Sequence, residues 1–363
     1  MSGRCDPRFA AVRDAFEQAL AEQESGGGAV SAIVDGRVVA DLWGGSRTTS
    51  GAPAPWRADT ITCIHSATKA VSVTCVLLLA DRGLLALDRP VADVWPEFAA
   101  AGKQAITVRT LLGGLAGLVY PDAAPAGCWF EHEPMAQAIA QQAPEWPPGT
   151  QGAYHSSTFP CLLEELVRRT TSRPLGEVVG TEILRPLALE LELEIGVPDA
   201  DLPRVAEVHA PPTPAMQALA GDPKYLRAWR QMPFEGDVLN SRTCIQSGSA
   251  GAGYATARAL ASFYGALADG RIVSDGMLAQ LREQQWADVC GLTDRQLRMA
   301  LGLFLNSEEM PMGPNPEAFG HHGLGGSLGM ADPVAGVAFG YVTNSLDGEE
   351  RCGRLLDALY ACL

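Results

Sequence analysis

Ser66-Ala67-Thr68-Lys69 decides how this chain is read, because it sets a hydroxyl and an amine three residues apart at the head of a long apolar run. Residues at i and i+3 share a helix face, so the spacing predicts that the lysine nitrogen reaches the serine oxygen. The run that follows, Ala70-Val71-Ser72-Val73-Thr74-Cys75-Val76-Leu77-Leu78-Leu79, suits a buried helix rather than a surface one. Lys69, Lys103 and Lys224 are the only lysines, and one that opens so apolar a helix is expected to be at least partly buried. A buried lysine tends to lose its proton and become a base. A serine hydroxyl becomes an effective nucleophile when such a base takes its proton. The helix is expected to end at Asp81-Arg82-Gly83, with Gly83 as the residue just past it.

Outward from that helix the pattern is mixed. Phe9, Val12, Phe16 and Leu20 give residues 9–22 a helical spacing. Ala29 to Val34 and Arg37 to Trp43, joined by Asp35-Gly36, read as a β-hairpin. Beyond Pro90 the pattern is mostly helical to about Pro233, with proline-rich connections at 144–149 and 211–214. A further helix fits Thr256 to Ala268, a strand fits Gly336 to Thr343, and an amphipathic helix fits Glu349 to Cys362. Strands at both ends with helices between them imply an α+β architecture. Its expected form is one antiparallel sheet flanked by helices, from residues 8–60 and 250–363, with a mainly helical lobe, 61–249, inserted. The active site is expected in the cleft between them. The 363 residues, 47% hydrophobic, suffice for that core.

Composition excludes several function classes. A net charge of −15 argues against nucleic acid or an anionic membrane as partner. No stretch approaches the roughly 18 uninterrupted apolar residues that a membrane span needs. Met1 to Pro7 has no apolar segment after Arg4, so no secretory signal is read there and the cytoplasm is the expected compartment. The nine cysteines include no C-x-x-C pair and read as small buried hydrophobes, Cys63 and Cys75 beside Ser66 included. No metal or cofactor is expected. His321 and His322 are adjacent and point apart on a strand, Glu131-His132-Glu133 is not the H-E-x-x-H of zinc hydrolases, and Ser25 to Gly28 lacks a phosphate-loop lysine.

Two further stretches carry polar groups. One is Pro148-Gly149-Thr150 followed by Tyr154-His155-Ser156; the other is His321-His322-Gly323-Leu324-Gly325-Gly326-Ser327. Glycines at that density make tight turns, allow close backbone approach and leave N–H groups free for an anion. Taken in order, the three segments resemble the S-x-x-K, Y-x-N/S and K-T-G or H-x-G motifs of the serine β-lactamase and penicillin-binding-protein superfamily. They are most similar to the class C β-lactamase-like carboxylesterases, also called family VIII esterases. Asp81 to Leu84, Trp95 to Phe98, Ile106 to Leu112 and Gly326 to Gly329 extend the resemblance over nearly the whole chain.

The resemblance implies roles. Ser66 would be the acylated nucleophile, and Lys69 and Tyr154 the pair that takes its proton and passes it to the leaving group. Backbone N–H groups of Ser66 and Leu324 would form the oxyanion hole, while His321, Gly323, Ser156 and His155 would face the substrate. His65 and His155 read otherwise as structural neighbours of the site. Three departures matter. Gly113-Gly114 replaces the family's usual Ser-His, which implies altered packing of a supporting turn rather than lost catalysis. Ser156 replaces an asparagine that contacts β-lactam amides. His321 replaces a lysine and is expected to be only partly charged near pH 7. The last two changes favour neutral esters as the small-molecule substrate. An acyltransferase on the same fold, a β-lactamase or D-amino-acid peptidase (amidase), and a non-catalytic binding module are the alternatives. The intact serine, lysine and tyrosine speak against the last. The oligomeric state is not legible.

Overall fold

The computed structural model describes residues 1–23, 25–48, 52–232, 237–248, 252–348 and 350–363. Nine strands form one antiparallel sheet in the order β1-β3-β2-β12-β11-β10-β9-β8-β7. They are β1 (Ser2–Cys5), β2 (Gly27–Val34), β3 (Arg37–Gly45), β7 (Trp286–Val289), β8 (Gln296–Met299), β9 (Phe304–Leu305), β10 (Phe319–His322), β11 (Leu328–Asp332) and β12 (Val337–Thr343). The predicted hairpin is β2–β3, and Asp35 and Gly36 both take positive φ at its turn (47° and 73°). Such a two-residue turn matches the right-handed twist of the strands. The C-terminal strand β12 pairs with β2, so the two ends of the chain share this sheet.

Both faces of the sheet's centre are covered, which is why β12 is buried along its whole length and shows no polar alternation. On one face Val337, Phe339 and Tyr341 meet α1 (Ala10–Ala21) and helix Glu350–Tyr360 through Val12, Phe16, Leu355 and Leu359. On the other, Ala338 and Val342 join Leu260, Phe263 and Tyr264 of helix Ala257–Ala268. The fold is thus the antiparallel sheet with flanking helices that the sequence implies.

A second sheet, β4 (Thr62–His65), β6 (Gly253–Ala255) and β5 (Leu193–Ile195) in the order β4-β6-β5, is absent from the sequence reading. The boundary drawn at 249/250 and the end of the helical run at Pro233 lie outside the described residues. The helix at 66–81 forms as α2 (Thr68–Asp81), with every residue from Thr68 to Leu79 buried. Its polar members turn back on the backbone: Ser72 Oγ donates to Thr68 O at 3.1 Å and Thr74 Oγ1 to Ala70 O at 2.8 Å. Gly83 takes φ 72°, with Leu84 N–H bonding Leu79 O and Gly83 N–H bonding Ala80 O, both at 2.9 Å. That pairing is a Schellman stop.

Lys103 is fully buried and serves structure. Its Nζ donates to Ala100 O at 2.8 Å and Ala140 O at 3.0 Å, and also to Gln142 O. It therefore caps the carbonyl end of helix His132–Gln141, where a cation is favourable. Lys103→Met keeps the bulk and orphans the Ala140 and Gln142 carbonyls, while Ala100 O keeps the position's own backbone N–H at 3.3 Å, so it is expected to cost about 2–4 kcal/mol. Urea unfolding measures this; an unchanged midpoint would contradict the role.

Candidate active site

Strand β4 delivers the chain to Ser66 through a strained residue. His65 has φ 47°, a left-handed conformation costly for a residue with a Cβ. The turn lets the strand end abruptly and α2 begin, so that Ser66 stands at their junction. Thr68 Oγ1 accepts from Gly253 N–H at 2.8 Å, fixing the start of α2 against β6. His65 itself is neutral: burial, then the nearby Lys69, pushes its pKa down to about 4.

As the second residue of α2, Lys69 is 1% exposed, and its Nζ donates to Ser66 Oγ at 2.9 Å. Burial lowers its pKa to about 7, and the positive end of the helix acts in the same direction. The same nitrogen lies 5.1 Å from the centre of the Tyr154 ring. Tyr154 packs against Phe304 and His321, with ring centres 5.5 and 5.8 Å away. Burial raises its pKa above the usual value, and the Ser66 hydroxyl offsets part of that rise. Yet its hydroxyl finds no hydrogen-bond partner of ordinary geometry among the described residues. Of the two proton-handling candidates, the lysine is therefore the one near neutrality and the phenol the one that keeps its proton.

The segment carrying Tyr154 is fastened by backbone contacts. His155 Nδ1–H donates to Ala153 O at 2.9 Å, and Nε2 accepts from Leu118 N–H at 3.0 Å. Both ring nitrogens are thus occupied, and His155 is absent from the cavity wall. It holds the loop instead of facing a substrate. Tyr154 N–H donates to Cys290 Sγ at 3.2 Å. The Gly113-Gly114 turn supports the same loop: Gly114 has φ 72°, a Cβ there would sit 2.6 Å from Ala153 O, and Ala153 N–H bonds Gly114 O at 2.9 Å. Trp286 Nε1–H adds a bond to Gly113 O at 2.7 Å.

The third motif enters on β10. Gly323, just past it, packs so closely on β4 that an added Cβ would lie 2.2 Å from Ile64 O. This approach carries Leu324 to the cavity that Ser66 also lines. Neither Ser66 N–H nor Leu324 N–H donates to a protein acceptor among the described residues. His321 differs from its expected state. It is 1% exposed, it does not line the cavity, and burial drives its pKa well below 6.5, so it is neutral rather than partly charged. Its neighbour His322 lines the wall instead, also neutral, with a pKa near 4 from burial and then the charge of Arg295. Strand alternation puts only one of the pair on that face.

The cavity measures about 1160 Å³ and is lined by Ser66, Tyr154, Ser156, Gly323 and Leu324 among others. Ser156 Oγ accepts from Trp229 Nε1–H at 3.2 Å. Trp129, Tyr225, Trp229 and His322 are wall residues that sequence reasoning missed. Among the described residues no group of three or more His, Cys, Asp or Glu is placed to hold a metal ion, and no helix is long and apolar enough to cross a membrane. All nine cysteines are free thiols.

A family model described as Beta-lactamase matches residues 12–361. The chain is 37% identical over 365 residues to a protein of Mycobacterium tuberculosis named Esterase/beta-lactamase LipL, covering 95% of this chain and 83% of that one. A solved family VIII carboxylesterase is similar with a TM-score of 0.91 and 34% identity, covering 100% of this chain and 99% of its own. A penicillin-binding protein homologue from Caulobacter crescentus gives a TM-score of 0.89 and 35% identity at the same coverage.

Proposed function

Because this chain belongs to the beta-lactamase family, matched across residues 12–361, we propose that it is a serine hydrolase that cleaves carboxylic esters through an acyl-Ser66 intermediate. The observation that carries this reading is the 2.9 Å contact between Lys69 Nζ and Ser66 Oγ in a buried setting. In the reacting form Lys69 is neutral and accepts the Ser66 proton as Oγ attacks the ester carbon. The N–H groups of Ser66 and Leu324 hold the resulting oxyanion. Collapse expels the alcohol oxygen, which takes the Tyr154 proton, and the Lys69 ammonium restores it. Water then attacks the acyl-serine with the same groups acting in reverse. The sheet lobe (8–60 and 250–363) and the helical lobe (61–249) would meet at this cleft.

Charge favours neutral esters. Arg295 is the one arginine or lysine among the described wall residues, and it is paired with Glu309 at 2.6 Å, while Asp237, Glu308 and Glu350 add negative charge. With His321 neutral and off the wall, a substrate carboxylate meets no unpaired arginine or lysine among the described wall residues. β-Lactams and peptides ending in a carboxylate are therefore poorly served. Initial rates on p-nitrophenyl butyrate and on nitrocefin test this. The ester should react faster by at least about tenfold in kcat/KM; nitrocefin hydrolysis outrunning every ester tried would favour the lactamase reading. Acyl transfer is the second reading, supported by a cavity whose 1160 Å³ exceed the usual drug-sized pocket of about 300–1000 Å³. Acylated products on adding alcohols or amines, read by mass spectrometry, would favour it.

The oxyanion-hole assignment makes its own prediction. Gly323→Ala forces a methyl against the Ile64 carbonyl and displaces Leu324 from Ser66. Losing one such donor is expected to lower kcat about 100- to 1000-fold. Steady-state kinetics on a folded variant decides it; a kcat within about twofold of the parent's would remove Leu324 from the mechanism.

A further inference from the structure

Trp129, Tyr225 and Trp229 stay half-buried on the cavity wall, whereas Trp56, Trp95 and Trp286 are buried in the core. The three form a cluster. Trp129 and Trp229 have ring centres 4.7 Å apart at 39°, and Tyr225 and Trp229 are 6.0 Å apart at 34°. The cluster is tied to the reacting centre, because the Trp229 indole N–H bonds Ser156 Oγ, two residues beyond Tyr154. That bond anchors the indole N–H, and all three rings line the cavity. An aromatic wall held in place before binding favours a flat aromatic ring over a saturated ring of equal size, through quadrupole-ordered contact and low ordering cost.

Resting on the acyl-Ser66 reading, we infer that Trp129, Tyr225 and Trp229 form an aryl subsite and that the preferred substrates are esters bearing an aromatic ring. Ser156 then acts as the anchor of Trp229 and sets specificity through it.

Matched substrate pairs test the inference. On the acyl side, p-nitrophenyl phenylacetate is compared with p-nitrophenyl cyclohexylacetate. On the alcohol side, benzyl butyrate is compared with cyclohexylmethyl butyrate, followed by acid release. The aryl-to-cyclohexyl ratio of kcat/KM is expected at about 2- to 12-fold in at least one pair. It should fall to near one in Trp229→Leu and persist in Trp229→Phe, which retains a ring. A parent ratio at or below one in both pairs, or a ratio unmoved in Trp229→Leu, overturns the subsite. Ser66→Ala run alongside separates the two claims. If it is inactive while the parent ratio is one, the subsite fails and the acyl-serine reading stands. If it turns over either pair like the parent, the acyl-serine reading on which the subsite rests has failed.

Discussion

Ser66→Ala is expected to lower kcat for ester cleavage by about 10,000-fold or more with no loss of fold. The substitution removes the only atom that forms the acyl bond in the proposed mechanism. Ser66 stands at the cavity rather than in the packed core, so its loss leaves no hole in that core. What survives is the binding and oxyanion contribution alone. Stopped assays on purified parent and variant, with circular dichroism to confirm folding, give the answer. Parent-like turnover by the variant would rule Ser66 out as nucleophile.

Lys69→Met should separate activity from stability. Losing a positioned base is expected to cost about 100- to 10,000-fold in kcat. Stability should move the other way. With a folded pKa of about 7 against an ordinary lysine value of 10.5, the unfolded chain holds the extra proton between those values. Stability therefore rises with pH across that window. At or below pH 7 the buried lysine costs about 3–5 kcal/mol, part of which its bond to Ser66 returns. An apolar side chain of similar length removes that cost, so the variant should melt several degrees higher. The parent's kcat/KM should fall about tenfold per pH unit below pH 7, as the base becomes protonated, and level off above it. A flat parent profile from about pH 5 to 9, or a variant that melts lower, would contradict the assignment.

Particular residues show what the sequence could and could not reveal. The i, i+3 spacing and the apolar run made the Ser66–Lys69 contact and α2 legible, since both follow from helix geometry alone. The Asp35-Gly36 turn and the glycine stop at Gly83 were legible for the same local reason. Strands β4, β5 and β6 were not, because three or four residues give no alternation to read. The strain at His65 arises from a junction between a strand and a helix, and no spacing reports it. His321 and His322 could be told to point apart, but which one faces the cavity depends on how β10 sits in the sheet. The aromatic wall was the least accessible. Trp129 and Trp229 lie 100 positions apart, and Ser156, which joins one of them to the Tyr154 loop, read as a substrate contact.

Mass spectrometry of the trapped acyl-enzyme addresses the central claim most directly. The protein is mixed with a slowly deacylated ester, quenched in acid within milliseconds to seconds, and digested for peptide mapping. A mass increase equal to the acyl group, confined to the peptide that contains Ser66 and absent from Ser66→Ala, is the predicted result. An acyl group mapped to any other residue, or ester turnover with burst kinetics and no adduct on that peptide, would contradict the account.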